Sequence, residues 1–184
     1  YVLLGLMVEK ASGQPLDQFL HDRIFAPLGM ETTVFYERTK NIVQNRAYGH
    51  TWVAGRWEIQ DQSLTSATRG DGRIYSSVED LVKWDEAWRG ETLLSAEEKK
   101  LALTPVKVRG KGPVEPDGHP AAYGFGWFLN PWHGHQRAWH NGETAGFRTT
   151  IQRFYEDGLT IIILANRDDL DPSSIALRLA RSFL

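Results

Sequence analysis

The stretch RTTIQRFYEDGLTIIILAN, residues 148–166, consists of two runs of apolar and β-branched residues that flank Glu156-Asp157-Gly158. Such runs are typical of β-strands, and Asp-Gly between two of them is a strong signal for a hairpin turn. The sequence therefore predicts strands over residues 148–155 and 159–166. Residues 138–141 are predicted to pair beside them.

The segments that flank this hairpin predict a further strand and a closing helix. Apolar residues occupy every second position from Tyr123 to Leu129, which favours a strand with one apolar face. Asp171 followed by Pro172 is typical of the start of a helix. The apolar residues of that helix recur every four positions, at Ile175, Leu179 and Phe183.

The first part of the chain is predicted to be mainly helical. Apolar residues at helical spacing favour helices over residues 1–11 and 16–25, and Ala54-Gly55 is the expected turn of a hairpin within residues 47–60. Ser76 and Ser95 each stand three residues before a glutamate, which is the capping-box pattern, so a helix is predicted after each. Together these elements predict an α+β fold in which helices cover an antiparallel sheet.

Composition excludes several classes of function. The 184 residues are 41% hydrophobic and 24% charged, as in a domain with its own core. A net charge of -2 without a basic run predicts no nucleic-acid partner, and no apolar run reaches the ~18 residues of a membrane span. The absence of cysteine excludes disulfides and thiolate chemistry but leaves the compartment open. No nucleotide-binding glycine pattern occurs, so no cofactor is expected.

His140 stands directly before the hairpin, in WHNGETAGF, residues 139–147. A single histidine at a strand end is most often structural, so the surrounding segments decide its interpretation. His133 and His135 are near it in sequence and suggest zinc, but loop histidines without a matched carboxylate are usually solvated. The sequence therefore predicts no metal site.

Five successive segments resemble the serine β-lactamases and the penicillin-binding-protein-like hydrolases, a group that includes DD-peptidases and esterases. They are GDGRIYSSVEDLVKW, LLSAEEKKLALTP, YGFGWFL, WHNGETAGF and DGLTIIILANRDD. Residues 1–30 also resemble the segment that follows the Tyr-x-Asn motif in this family. The resemblance covers essentially the whole chain and implies the β-lactamase/DD-peptidase-like fold, incomplete at its N-terminus.

The resemblance implies acyl-enzyme chemistry on an ester, amide or β-lactam bond. Family members use the serine of Ser-x-x-Lys as nucleophile and carry a Lys-Thr-Gly or His-x-Gly triad on a sheet strand. His140-Asn141-Gly142 matches that triad. The resemblance thus implies catalytic roles for His140, Gly142 and Glu143, whose backbone N–H would face the oxyanion, and substrate-binding roles for Asn141 and Thr144.

The nucleophile of such an enzyme is not found in this sequence. No Ser-x-x-Lys, Tyr-x-Asn or Ser-x-Asn motif occurs in residues 1–184. Both motifs lie upstream in the family, so we expect residues 1–184 to be the C-terminal part of a single catalytic domain, to lack an N-terminal segment, and to be inactive alone. Within it, residues 1–104 are expected to be mainly helical with a hairpin, 105–120 a loop, and 121–184 strands and a closing helix.

The residue after the triad bears on the substrate. Glu143 stands where enzymes that act on penicillins and peptide C-termini place Ser or Thr, and its carboxylate would repel a substrate carboxylate. This favours neutral or cationic esters and amides over β-lactams. Two alternatives to a hydrolase stay open: a noncatalytic binding domain on the same scaffold, and a subunit that completes its sheet with a separate N-terminal chain.

Overall fold

A computed structural model describes residues 1–37, 42–63, 68–107 and 122–184. The helices are α1 (Val2–Ser12), α2 (Leu16–Leu20), α3 (Val78–Arg89), α4 (Ala96–Ala102) and α5 (Pro172–Ala180). Helix α2 continues as a π-helical turn over His21–Phe25. The strands are β1 (Val34–Phe35), β2 (His50–Val53), β3 (Arg56–Ile59), β4 (Ile74–Tyr75), β5 (Ala122–Tyr123), β6 (Phe128–Leu129), β7 (Arg137–Thr144), β8 (Phe147–Phe154) and β9 (Leu159–Ala165). Most of the loop expected over residues 105–120 lies outside the described residues. Within the part of the chain that the structure describes, no helix is long and apolar enough to cross a membrane.

The largest sheet has five strands in chain order, β5-β6-β7-β8-β9. β5 pairs antiparallel with β6, and β6 with β7, where Phe128 lies opposite Trp139. β8 and β9 are joined by a turn in which Gly158 takes a φ of 67°. The hairpin and the α+β fold predicted from the sequence are both confirmed.

The chain divides into two compact units, which are described separately. The first comprises residues 1–87, 143–148 and 164–170 and contains α1, α2 and the two-stranded sheets β1-β4 and β2-β3. The second comprises residues 88–142, 149–163 and 171–184 and contains α4, α5 and most of the five-stranded sheet. Buried side chains of the first unit include Phe25, Met30 and Phe35, and those of the second include Trp127, Trp139 and Phe154.

Residues 123–129 form a short hairpin, not the single strand predicted from their alternating pattern. The Gly124 N–H donates to the carbonyl oxygen of Trp127 at 2.8 Å, and Gly126 takes a φ of 79°. Positive φ is accessible to glycine without steric cost, so the chain reverses here. Gly124 and Gly126, predicted to lie on one face of a strand, are residues of the turn between β5 and β6.

Helix α5 begins where the sequence predicts, but its buried face is a different one. The Asp171 side chain accepts the N–H of Ser174, as expected of an N-cap. Of the predicted apolar face, Leu179 and Phe183 are exposed. The residues that are buried are Pro172, Ala176 and Ala180. These residues also recur every four positions, but on a different face of the helix. Because two of them are small alanines, a prediction from apolarity alone chooses the face with the larger residues.

The caps of α3 and α4 follow the predicted chemistry, with a shift of one residue in α3. The Ser77 hydroxyl accepts the N–H of Asp80 at 3.2 Å, whereas Ser76 hydrogen-bonds the hydroxyl of Thr33 at 2.7 Å. The prediction that Ser76 caps this helix is therefore wrong. Ser77 is the cap, because its hydroxyl binds the N–H of Asp80 while that of Ser76 binds Thr33. The capping box at Ser95 is confirmed in both of its halves.

Asp80 is a buried charge that ties α3 to the segment before β1. Its Oδ2 accepts hydrogen bonds from the Thr32 N–H at 2.8 Å, the Thr32 hydroxyl at 2.7 Å and the Thr33 hydroxyl at 2.9 Å. Its Oδ1 lies 2.9 Å from Lys83 Nζ. Burial by itself raises the pKa of Asp80, but the hydrogen bonds from Lys83 and the two threonines outweigh it and lower the pKa to about 2.

Replacing Asp80 with asparagine is expected to destabilise the chain by about 2 kcal/mol at neutral pH. A carboxyl group with a lowered folded-state pKa stabilises the fold above its unfolded pKa, near 4, and this contribution is lost as the pH falls through about 2. The difference in the free energy of unfolding between wild type and Asp80→Asn should therefore become smaller in acid. Denaturant unfolding at about pH 7 and pH 3 measures this difference, with Glu79→Gln as an exposed control. An equal difference at both pH values would contradict the lowered pKa of Asp80 in the folded state.

Candidate active site

The five residues that the sequence predicts for the site are the last five of the eight residues of β7. The first three residues of this strand are buried, with Ala138 at 0% and Trp139 at 3% exposure. β7 is also the middle strand of five, and β6 pairs with it at Ala138 and Trp139. The segment that follows Trp139 is thus mounted on a rigid element while its own side chains are half-buried or exposed.

His140 is hydrogen-bonded through both ring nitrogens. Its Nε2 lies 3.1 Å from the Tyr123 hydroxyl, and its Nδ1 lies 2.7 Å from the carbonyl oxygen of Asn141. The ring of Phe128 packs beside those of His140 and Tyr123, with centroid distances of 5.6 and 4.8 Å. These contacts define the orientation of the imidazole.

The side chain of Asn141 belongs to a polar network of side chains from β7, β8 and α5. Its Oδ1 accepts hydrogen bonds from the hydroxyls of Thr150 and Ser173, each at 2.7 Å. Gln152, which is fully buried, donates to the Thr150 hydroxyl at 2.8 Å, and Arg137 donates to Gln152 at 3.3 Å. Because Ser173 lies in the first turn of α5, the network links that helix to β7 and β8. A substrate-binding role for Asn141 stays a prediction.

Gly142 is in close contact with the neighbouring strand. A β-carbon at this position would overlap the hydroxyl of Thr149, which donates to the Gly142 carbonyl oxygen at 3.5 Å. Close approach of a substrate, for which the sequence favours glycine here, stays a prediction. The structure adds a second reason, because a larger residue would displace the Thr149 side chain.

Glu143 is paired with Arg148 across the turn between β7 and β8. Arg148 Nη2 lies 3.0 Å from Glu143 Oε1, and Arg148 Nη1 donates to the carbonyl oxygens of Thr144 and Phe147 at 3.1 and 2.8 Å. The Glu143 side chain is 73% exposed. Solvent and Arg148 therefore weaken the repulsion that Glu143 exerts on an anionic ligand, without removing its charge.

The turn between β7 and β8 packs against the β2-β3 hairpin through two glycines. The His50 N–H donates to the Gly146 carbonyl oxygen at 3.2 Å, and the Gln60 N–H donates to that of Gly49 at 2.9 Å. Gly146 takes a φ of 68°, and a β-carbon there would overlap the Gln60 carbonyl oxygen and lie 2.6 Å from His50 N. One at Gly49 would lie 2.9 Å from the Ala145 carbonyl oxygen. A side chain at either glycine would push the β7-β8 turn away from the open end of the β2-β3 hairpin.

Sequence reasoning did not assign the partners of the triad. Tyr123 is 17 positions from His140, and Ser173 is 32 positions from Asn141. No local pattern links residues so far apart, since only the folded sheet brings them together. Gly146 did carry a signal, because a glycine in the turn of a hairpin is a known indicator of positive φ.

The nearby histidines contact other partners. His135 Nδ1 lies 2.9 Å from Asp157 Oδ1, and the ring of His133 packs edge-on against Trp132 at 4.4 Å. In the described residues, no three His, Asp or Glu side chains are placed to hold a metal ion.

The chain is similar in sequence to a known protein family and to several characterised proteins. A sequence model of the family described as Beta-lactamase matches residues 1–183. Penicillin-binding protein 4* of Bacillus subtilis (strain 168) is 30% identical over 182 residues, which cover 92% of this chain and 39% of that protein. A D-aminopeptidase of Brucella canis is 24% identical, over 99% of this chain and 33% of that protein.

A solved structure is similar over nearly the whole chain. The octameric penicillin-binding protein homologue from Pyrococcus abyssi matches with a TM-score of 0.83 and 28% identity, over 99% of this chain and 40% of that one. The chain thus spans 33–40% of the length of these relatives.

Proposed function

Since the chain belongs to the β-lactamase family, whose model matches residues 1–183, we propose that it is the C-terminal part of a serine hydrolase. This enzyme acts through an acyl-enzyme on an ester, amide or β-lactam bond of a small-molecule substrate. The observation that carries the proposal is the position of His140-Asn141-Gly142 on the middle strand of the five-stranded sheet, with His140 held at both ring nitrogens.

In this proposal the exposed part of β7 supports the reacting carbonyl group. The backbone N–H of Glu143 donates to the oxyanion, a type of contact worth about 3 kcal/mol of transition-state stabilisation. Gly142 leaves room for the substrate beside the strand, and Asn141 and Thr144 complete the substrate-binding edge. His140 contributes an oriented polar ring to the serine site.

The nucleophile in this proposal is the serine of a Ser-x-x-Lys motif in a segment that precedes Tyr1. Two observations support it: the chain contains no such motif, and it spans only 39% of Penicillin-binding protein 4*. The chain alone is then inactive. We further propose that residues 1–184 belong to one catalytic domain of the complete protein, since the family match runs through both compact units.

A noncatalytic binding domain is the second candidate, and the absence of a Ser-x-x-Lys motif is the observation that favours it. The two candidates differ in one property of the complete protein. A hydrolase forms a covalent adduct with a serine-directed acylating agent, and a binding domain does not.

The complete protein is expected to prefer a neutral ester over an anionic cephalosporin, because Glu143 places negative charge at the strand edge. In Glu143→Gln the positive charge of Arg148 is no longer paired, so the ratio of kcat/KM for cephalosporin over ester should rise about two- to fivefold. Steady-state kinetics with both substrates measure this ratio. Glu156→Gln, at the exposed turn between β8 and β9, is the matched control. An unchanged ratio in Glu143→Gln would mean that Glu143 does not select the substrate.

A further inference from the structure

The hydroxyl of Tyr123 lies 3.1 Å from His140 Nε2, and no role for Tyr123 follows from the triad motif. Tyr123 is on β5, two strands away from His140 on β7. The ring of Phe128, on the strand between them, packs edge-on against Tyr123 and in a tilted arrangement against His140. The hydrogen bond therefore joins two side chains whose rings are already held in place.

The second hydrogen bond of the imidazole determines which atom donates to which. The carbonyl oxygen of Asn141, 2.7 Å from Nδ1, can only accept, so Nδ1 carries a proton. In a neutral imidazole the other nitrogen then has a lone pair and no proton. Nε2 of neutral His140 must consequently accept the O–H of Tyr123.

We propose that Tyr123 is the positioning residue of His140: its hydroxyl and the Asn141 carbonyl oxygen together hold the neutral ring in the Nδ1–H tautomer. Neither nitrogen of the neutral ring then has an unengaged lone pair. It follows that His140 does not take the proton of the nucleophilic serine directly. Its contribution to the reaction is that of an oriented, polar group, and the proton acceptor is another residue.

The tautomer is measured on the 184-residue chain itself, by nitrogen NMR of histidine-labelled protein at a pH where His140 is neutral. We expect an Nδ1 that carries hydrogen and an Nε2 with the shift of a hydrogen-bonded acceptor, assigned by comparison with His140→Gln. In Tyr123→Phe the Nε2 signal should move towards that of a nitrogen without a hydrogen bond, or a second tautomer should appear. Tyr155→Phe, which removes a hydroxyl elsewhere, should leave His140 unchanged.

Either of two results would overturn the proposal. One is wild-type His140 with its proton on Nε2, which is decisive even if Tyr123→Phe does not fold. The other is an identical Nε2 signal in wild type and Tyr123→Phe.

The kinetic consequence rests on the proposed function and is tested separately in the complete protein. Tyr123→Phe should lower kcat about fivefold with little change in KM, since it removes one hydrogen bond from a group that supports the reaction. Lack of any turnover by the wild-type complete protein would refute the hydrolase proposal and leave the NMR result standing. Unchanged kcat in Tyr123→Phe beside an active wild type would refute only the positioning role.

Discussion

A Gly146→Ala variant is expected to unfold at a temperature about 4–16 °C below that of the wild-type chain. The φ of 68° costs alanine about 1 kcal/mol, and overlap with the Gln60 carbonyl oxygen and the His50 N adds about 1–3 kcal/mol. The clashing atoms belong to the backbone, so rotation of a side chain cannot relieve them. Thermal unfolding followed by circular dichroism measures the difference.

Gly158 provides a matched control, because it has almost the same backbone conformation without the contact. Its φ is 67°, and a β-carbon there would lie 3.7 Å from its nearest neighbour, an Arg89 side-chain nitrogen. Gly158→Ala should therefore show only the conformational cost. Equal losses in the two variants would show that packing of the β7-β8 turn against the β2-β3 hairpin contributes nothing.

Replacing His140 with alanine is expected to lower kcat of the complete protein by about 10²–10³, the range found when an oriented polar group is removed from an acyl-transfer site. The change removes both hydrogen bonds of the ring, to Tyr123 and to the Asn141 carbonyl oxygen. Steady-state hydrolysis of a neutral ester measures the loss. His133→Ala, on an exposed histidine that packs on Trp132, controls for the loss of an imidazole. A loss below about twofold in His140→Ala would exclude His140 from the site.

Local patterns in the sequence predicted the elements that depend on local chemistry. The Asp157-Gly158 turn and the capping box at Ser95 each involve residues within a few positions of one another. Such interactions need few contacts from elsewhere in the fold, which is why these signals were correct. The same holds for the Asp171 cap, which bonds Ser174 three residues later. The capping pattern at Ser76 failed because a distant residue, Thr33, hydrogen-bonds its hydroxyl.

Elements that depend on tertiary packing were harder to predict. Alternation from Tyr123 to Leu129 is equally compatible with one strand and with two strands around a glycine turn, and only the hairpin lets β6 pair with β7. In α5 the buried face is made of small residues that apolarity ranks below Leu179. In both cases the neighbouring elements, not the segment itself, decide which residues are buried.

The candidate site was predicted as a motif but not as an arrangement. His140-Asn141-Gly142 was recognisable from its resemblance, whereas the hydrogen bonds of His140 to Tyr123 and of Asn141 to Ser173 come from distant strands and from α5. Sequence spacing carries no information about such contacts. The supporting residues of a site therefore become visible only in the fold.

We propose that this chain carries the triad of a serine hydrolase and that the nucleophile lies in a preceding segment. Labelling with a fluorophosphonate, run side by side on the complete protein and on the 184-residue chain, is the decisive experiment. We expect a covalent adduct on a serine N-terminal to Tyr1 in the complete protein and no adduct on the chain alone. An adduct on a serine within residues 1–184, or no adduct on either protein, would contradict it.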